Sequence, residues 1–322
     1  MEFRLSRNLT LCLLLTALTL GAIAPPAMTL ADEQESGSFY QKVAVSRNPK
    51  FLVSGVAIEQ LLQYEIISKL EVGPSQGAGA LSVKQTVVSG RLLKADPLSQ
   101  SSYAAALKKI AGTTFRYEFN DSNRVISFRG GKAEKEAIAI KDLSLEKLMN
   151  SKGFLLTSLI DDDGWKELAE LTFFQPPPQK KQWVSQFHHD WTPLGSWTGE
   201  TTYAIGRKRG KWQVYGYKHD VKYNAPGAEK DPKAPGRPGA AAKDKPKVSG
   251  LPFTLKGADF TPINSGGQIV YDKTKSRIES AEEIFHVRGV VAANVLGQDT
   301  RVQLEEKQMF KIQLNDQNAW SQ

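Results

Sequence analysis

Apolar and polar residues alternate along much of this chain, and the alternation is longest near its end. Between Ala281 and Val295 the odd positions carry Ala281, Phe285, Val287, Val291, Ala293 and Val295, the period-2 spacing that puts side chains on one face of a strand. Glu283 is the exception in that row. In the following segment Val302, Leu304, Phe310, Ile312 and Leu314 occupy even positions, while Arg301, Gln303, Glu305, Lys307, Lys311 and Gln313 occupy odd ones. The stretch from Gly267 to Leu314 therefore reads as one long β-hairpin with one apolar and one solvated face. The two apolar faces coincide only if paired residue numbers have an odd sum, and a type II′ turn at Gly297-Gln298 meets that condition. This register sets Val291 opposite Leu304 and Phe285 opposite Phe310, a cross-strand pair worth roughly 0.2–1 kcal/mol. Gly289 sits mid-strand, where glycine predicts a bulge or bend.

The rest of the chain repeats the theme. Residues 32 to 56 begin polar and become mixed near Phe51 to Val56, which predicts a lead-in with one short strand. Leu62, Tyr64, Ile66, Leu70 and Val72 alternate with Gln63, Glu65, Lys69 and Glu71 to give a strand. After a Gly73–Gly77 loop, Ala80 to Ala95 returns as its hairpin partner. Ser99 then caps a helix whose Tyr103, Leu107 and Ile110 share a stripe, ended by Gly112. Thr113 to Asn120 and Arg124 to Phe128 are strands joined by Asp121-Ser122-Asn123. Leu143 to Leu156 and Gly164 to Phe174 are short helices, the second led by Asp161-Asp162-Asp163 and stopped by Pro176-Pro177-Pro178. From Gln182 the pattern is β again, with a hairpin of Glu200–Arg207 and Lys211–Tyr223, and Phe253 to Phe260 is a further strand. An internal echo links Phe119-Asn120-Asp121-Ser122-Asn123-Arg124-Val125 to Tyr271-Asp272-Lys273-Thr274-Lys275-Ser276-Arg277-Ile278. Each places an aromatic strand end, an Asx-bearing turn and an Arg-aliphatic strand start in sequence.

Composition adds the compartment. Arg4 and Arg7, the apolar run Leu9 to Ala24 and the small-residue site Thr29-Leu30-Ala31 have the layout of a secretory signal over residues 1–31. The predicted export leads to the periplasm, the envelope or the exterior, and no other segment is apolar and long enough to span a bilayer. The single cysteine, Cys12, lies in that signal, so disulfides, thiolate nucleophiles and Cys-ligated metals are excluded from residues 32–322. Those residues are expected to form a single β-rich domain with a disordered Pro/Ala/Lys-rich insertion at 224–248. The formal net charge is +8, and residues 225–247 alone carry six Lys or Arg against three Asp or Glu. The basic balance is thus partly a loop property and does not imply a nucleic-acid partner.

The run Gly267-Gln268-Ile269-Val270-Tyr271-Asp272, then Arg277-Ile278, the long strand, and Arg301-Val302-Gln303-Leu304-Glu305 resembles the C-terminal part of an exported bacterial, planctomycete-type β-rich family of unknown function. In outline the pattern is similar to lipoprotein-carrier half-barrels of the LolA/LolB type. That resemblance implies a curved antiparallel sheet cupped over helices and supplies no catalytic residues.

No catalytic motif stands out. His188-His189-Asp190 is the one clustered metal-like run, but adjacent strand residues point to opposite faces, so no metal or other cofactor is expected. His219 and His286 read as solvated or packed. Ser144-Leu145-Glu146-Lys147 matches S-x-x-K without its companion motifs, and the serine fits a helix cap. Tyr215, Tyr217 and Tyr223 share one register, as a core face would show. Glu306 and Gln308 are polar residues in the apolar register of the last strand, and they mark the floor of a predicted ligand cavity. The predicted ligand-binding set is Phe285, Val287, Glu306, Gln308, Phe310, Tyr215 and Tyr217.

The fold expectation is mainly β, a curved antiparallel sheet forming a half-barrel or incomplete barrel with two or three short helices packed on it. The function expectation is a non-enzymatic exported or envelope protein that binds a lipid or other apolar or amphiphilic ligand between sheet and helices. The competing expectation is a structural or interaction module of the cell surface with a filled core. It could have another envelope component as partner.

Overall fold

The computed structural model describes residues 37–53, 55–75, 77, 79–97, 100–130, 162–190, 195–225, 253–295 and 298–320. The expected signal, the Leu143–Leu156 helix and nearly all of the 224–248 insertion lie outside the described residues.

The described residues form twelve strands and two helices: β1 (Gly37–Val53), β2 (Val56–Glu59), β3 (Leu62–Pro74), β4 (Leu81–Ala95), α1 (Gln100–Ile110), β5 (Thr114–Phe119), β6 (Val125–Gly130), α2 (Asp162–Thr172), β7 (Gln182–Asp190), β8 (Ser196–Arg209), β9 (Trp212–Asn224), β10 (Phe253–Asp272), β11 (Arg277–Val295) and β12 (Gln298–Asn315). All pairings are antiparallel, in the order β6-β5-β4-β3-β1-β12-β11-β10-β9-β8-β7, with β2 paired to β1 beside this path. The sheet is mainly β, as the alternation predicts, and it does not close: β6 and β7 are its edges. They are nevertheless brought near each other, because Arg124, entering β6, donates from Nη2 to the Gln186 carbonyl of β7 at 2.6 Å.

Three sequence expectations are corrected. The lead-in at 32–56 contains a 17-residue strand, β1, which lies at the centre of the sheet between β3 and β12. Its alternation is hidden because two of its inward positions are polar, Gln41 and Arg47. Both are satisfied inside the fold. Gln41 Nε2 donates to Thr172 Oγ1 at 2.6 Å, while Gln85 Nε2 donates to Gln41 Oε1 at 3.1 Å and Tyr117 Oη to Gln85 Oε1 at 2.7 Å. Arg47 donates from Nε to Glu306 Oε1 at 2.7 Å, and its Nη2 bonds the same oxygen.

The β11–β12 register is offset by two residues from the expected one. Val291 pairs with Val302, Phe285 with Gln308 and Glu283 with Phe310. The apolar faces still coincide, since the sum of paired numbers stays odd, but the Phe285–Phe310 pair is not made. Phe285 instead lies edge-on to Trp197, with ring centroids 5.3 Å apart. Trp197 is fully buried and also meets Tyr223 at 5.2 Å.

Gly289 makes no bulge in β11. A Cβ there would lie 2.3 Å from Phe260 Cδ1 and 2.2 Å from the Asp259 carbonyl, so the missing side chain is the space that the Phe260 ring occupies. Two bulges fall on β10, at Leu255/Gly257 and Pro262/Asn264, and a third falls on β11 at Glu279, opposite Val270/Tyr271; β10 runs well past the expected end at Phe260.

One face of the sheet carries the core. The main cluster joins inward residues of β1, β3, β4, β5 and β9–β12 to Leu107 and Ile110 of α1 and to Trp165, Leu168 and Ala169 of α2, with Phe173 and Phe174 just beyond. A second cluster, Phe51, Trp197, Val221, Phe260, Val287, Val291 and Leu304, fills the same face further along the long strands. α1 ends as its sequence stripe requires, and it approaches β4 closely: a Cβ on Gly90 would meet the Leu107 carbonyl at 2.8 Å. α2 starts at Asp162, two residues earlier than expected, so Asp162 and Asp163 stand in its first turn, where carboxylates favour the exposed N–H groups.

The two echoed turns are both hairpin turns, and both hold the end of α2. Asn120 Oδ1 accepts from the Ser122 and Arg124 amides at 3.0 and 2.9 Å, as Asp272 Oδ1 accepts from Thr274 and Lys275 at 2.9 and 3.3 Å. Asn123 and Ser276 each adopt positive φ, 59° and 46°. Asn123 Nδ2 donates to the Phe173 carbonyl, and Gln175 Nε2 donates to the Ser276 carbonyl at 2.9 Å.

The Arg47–Glu306 pair bridges β1 and β12 with little exposure on either side chain. Arg47→Met leaves a buried carboxylate without its cation and is expected to lower unfolding stability by about 3–5 kcal/mol. Adding Glu306→Leu should recover most of that loss. Urea unfolding of the single and double variants checks this, and a double variant as unstable as the single one contradicts it.

A pH dependence also follows. Hydrogen bonds from Lys84 and Lys69, at 2.9 and 3.0 Å, hold the Glu71 carboxyl down at about 2, against an ordinary 4.5. Glu305 is also held below its ordinary value, by hydrogen bonds from Arg288 and His286. A carboxyl depressed in the folded state contributes stability above its unfolded value and loses it as pH falls through its folded value. Thermal unfolding temperature should therefore fall as pH drops from about 4.5 toward 2, and Glu71→Gln should flatten that slope by lowering the neutral-pH value while leaving the acid value nearly unchanged.

Candidate functional site

The seven residues expected to bind a ligand separate into three places. Phe285, Val287, Glu306 and Gln308 do converge, with His189, around a cavity of about 20 Å³. That is the space of one water molecule at most. Glu306 is buried and bonded to Arg47 from the neighbouring strand, so the polar partner in the apolar register comes from β1 and not from a helix. The Tyr103 hydroxyl on α1 is pushed up to about 12 by burial, with Arg47 opposing and Asp96 and Glu306 adding to the shift. Tyr215 is a core residue, meeting Phe174 at 5.5 Å and Trp183 at 5.8 Å. Phe310 is half-buried and packs against the main cluster. Tyr217 stands apart from these, beside Glu283.

Glu283 is the polar exception noted in the odd row of β11, and it carries a site that the sequence reading did not assemble. It lies on the inner face among aromatic rings. Tyr217 Oη donates to Glu283 Oε2 at 3.0 Å, and His219 Nε2 lies 3.6 Å from the same oxygen. His219 is buried, tilted against Phe187 with centroids 4.6 Å apart, and its Nδ1 shares a hydrogen bond with Thr201 Oγ1 at 2.8 Å. Burial pushes the Glu283 carboxyl up, yet the His219 imidazole and the Tyr217 hydroxyl hold it below the usual carboxylate range. Burial pushes the Tyr217 hydroxyl well up, and the Glu283 charge adds to it.

These groups open into a cleft of about 160 Å³ at the seam between the sheet edges, walled by α2 on one side and by β7–β9 on the other. Glu167 and Glu170 project from α2. Glu167 Oε1 is 2.7 Å from His189 Nδ1, and Glu170 takes Arg124 Nη1 at 2.7 Å and the Val125 amide at 2.9 Å. Trp183 and Tyr203 form a parallel stack, 5.1 Å between centroids and 7° between planes. His188 lines the cleft while His189 lines the small cavity, so the adjacent pair divides between two places. Among the described residues no group of three or more His, Cys, Asp or Glu side chains could hold a metal ion.

A wider hollow lies on the opposite face. About 590 Å³, open to solvent on one side, lies above outward-pointing Ala44, Ser46, Leu93, Ile284 and Met309, with Glu282 and Lys311 paired at 2.7 Å on its border. Leu93 and Met309 are 49% and 40% exposed. These residues fall in the register assigned to the solvated face. Ile284 interrupts that polar register as Glu283 interrupts the apolar one, the visible sign of both places.

Among the described residues no helix is long and apolar enough to cross a membrane. No protein-family model matches the chain, and no curated protein matches it. Among solved structures it is similar to a DUF1329 family protein from Desulfovibrio piger, at 9% identity over 91% of this chain and 90% of that one, with a TM-score of 0.16. It is similar also to an outer membrane lipoprotein-sorting protein domain from Vibrio parahaemolyticus, at 6% identity over 88% and 87% of the two chains, TM-score 0.14. OccK2 (OpdF) from Pseudomonas aeruginosa follows at 8% identity over 89% and 70%, TM-score 0.13. Scores this low carry no argument about fold or activity, and the architecture rests on the strand pairing itself.

Proposed function

We propose that this is an exported, non-enzymatic binding protein of the cell envelope whose ligand is an apolar or amphiphilic molecule, a lipid in particular. The observation that carries the reading is the hollow of about 590 Å³ floored by Leu93, Ile284 and Met309. That volume lies in the range of small-molecule sites, and its mix of aliphatic floor and charged border suits an acyl chain with a polar end. The inner face offers less room: its two apolar clusters are packed, and the spaces beside α2 measure about 160 and 20 Å³. The proposed ligand site therefore lies across the sheet from α1 and α2, and not between sheet and helices. The basic, signal-like N-terminal sequence supports export to the periplasm, envelope or exterior. The resemblance to planctomycete-type exported proteins and to LolA/LolB half-barrels belongs to the same reading.

A second reading is a surface structural module, favoured by the packed inner face. The two are separated by native mass spectrometry of protein purified from its own envelope. Carriage predicts a co-purifying lipid mass, and a fluorescent palmitoyl probe should bind the wild type and lose about tenfold or more of its affinity in Met309→Asp. The exposed position of Met309 makes that variant fold with a stability change of about 0.5 kcal/mol or less. No adduct and no probe uptake leave the structural module.

A further inference from the structure

We propose that the seam cleft between α2, β7 and β9 is a second binding site, specific for a small alkylammonium group. It lies on the face opposite the 590 Å³ hollow and stands independently of the amphiphile reading.

Charge is the first argument. Three carboxylates, Glu167, Glu170 and Glu283, line the cleft against one permanent cation, Arg124. Arg124 is already engaged, by Glu170 at 2.7 Å, Ser185 Oγ at 3.2 Å and the Gln186 carbonyl at 2.6 Å. Glu283 thus has no fixed positive neighbour in the cleft, although it sits on the inner face, where an ionised carboxylate needs one.

The second argument is independent of the acids. His219 is only 7% exposed and lines the cleft, and its Nε2 has no hydrogen-bond partner. Glu283 Oε2 lies 3.6 Å away, too far for a hydrogen bond though within reach of an ion pair when His219 is protonated. In the tautomer whose Nδ1–H donates to Thr201 Oγ1, His219 Nε2 and Glu283 Oε2 are two acceptors side by side on one gap, whereas the protonated imidazole faces Glu283 as its counter-ion. A single ammonium group carries the three donors that such a gap lacks.

The walls set the rest of the ligand. The stacked Trp183 and Tyr203 offer aromatic surface to a cation and its methylenes. A volume of about 160 Å³ is close to that of an engineered cavity that holds benzene, so the space accepts a chain of a few carbons and not a lipid.

The test is titration of the full chain with n-butylammonium, using n-butanol as the uncharged control, followed by calorimetry and by the indole resonance of Trp183. Saturable butylammonium binding that perturbs Trp183, at least about tenfold tighter than butanol and at least about tenfold weaker in Glu283→Gln, is the expected result. Absence of saturation, equal binding of the two probes, perturbation elsewhere than Trp183, or unchanged affinity in Glu283→Gln overturns the assignment. If Glu283→Gln does not fold, the preference of the wild type for butylammonium over butanol and the Trp183 perturbation decide the matter alone.

Discussion

The pairing of β1 with β12 is the constraint on which the sheet depends. These are the first and last strands of the described residues, and they meet in the middle of the strand order, from Tyr40 opposite Asn315 to Val53 opposite Val302. Without that ladder the chain divides into two separate meanders, β1–β3–β4–β5–β6 and β7–β8–β9–β10–β11–β12. Closing it spans nearly the whole described sequence, so the entropy of loop closure opposes it, and buried side chains must offset that cost. Val43, Val45, Ile312 and Leu314 supply apolar area, and the Arg47–Glu306 pair supplies registry, because any slip would bury two unpaired charges.

The two helices then decide which face of the sheet is interior. α2 rests in the seam between the open edges, held at its end by two turns of matching chemistry, one after β5 and one after β10. Its apolar side meets Phe115 and the inner strands through Trp165, 4.7 Å from the Phe115 ring, while Glu167 and Glu170 face the cleft. A helix in the seam explains why an apolar inner face ends in a polar margin: the edge strands cannot complete each other's hydrogen bonding, and Arg124, Glu170 and Ser185 span the gap instead. The opposite face has no such cover among the described residues and keeps its aliphatic side chains outward.

Polar residues in apolar rows are the common thread of both candidate places and of the framework. Gln41, Arg47, Glu283 and Glu306 all sit where alternation demands a hydrophobe. Three of them serve cohesion: Gln41 joins a buried chain through Gln85 and Tyr117 to Thr172, and Arg47 and Glu306 neutralise each other. Glu283 differs: it accepts a hydrogen bond from the Tyr217 hydroxyl and faces an imidazole that is charged only when protonated.

The alternation by itself determined the strand-rich class and the inner face of β3, β9, β11 and β12, because side-chain period is a local property of the backbone. The stripe of Tyr103, Leu107 and Ile110, and the Asp and Pro runs around Gly164 to Phe174, placed the two helices to within a few residues. The alternation also marked Glu283 and Glu306 as misfits. It could not say that β1 is a central strand, since Gln41 and Arg47 look like solvated positions until partners distant in sequence satisfy them. Nor could it choose between two registers of the last hairpin that keep the same faces. The edge-on contact of Phe285 with Trp197, and the place of Phe260 over Gly289, belong to the folded state alone. The cleft and the outer hollow likewise exist only once strands far apart in the chain lie side by side, because a cavity is a property of packing between elements and leaves no period in the sequence.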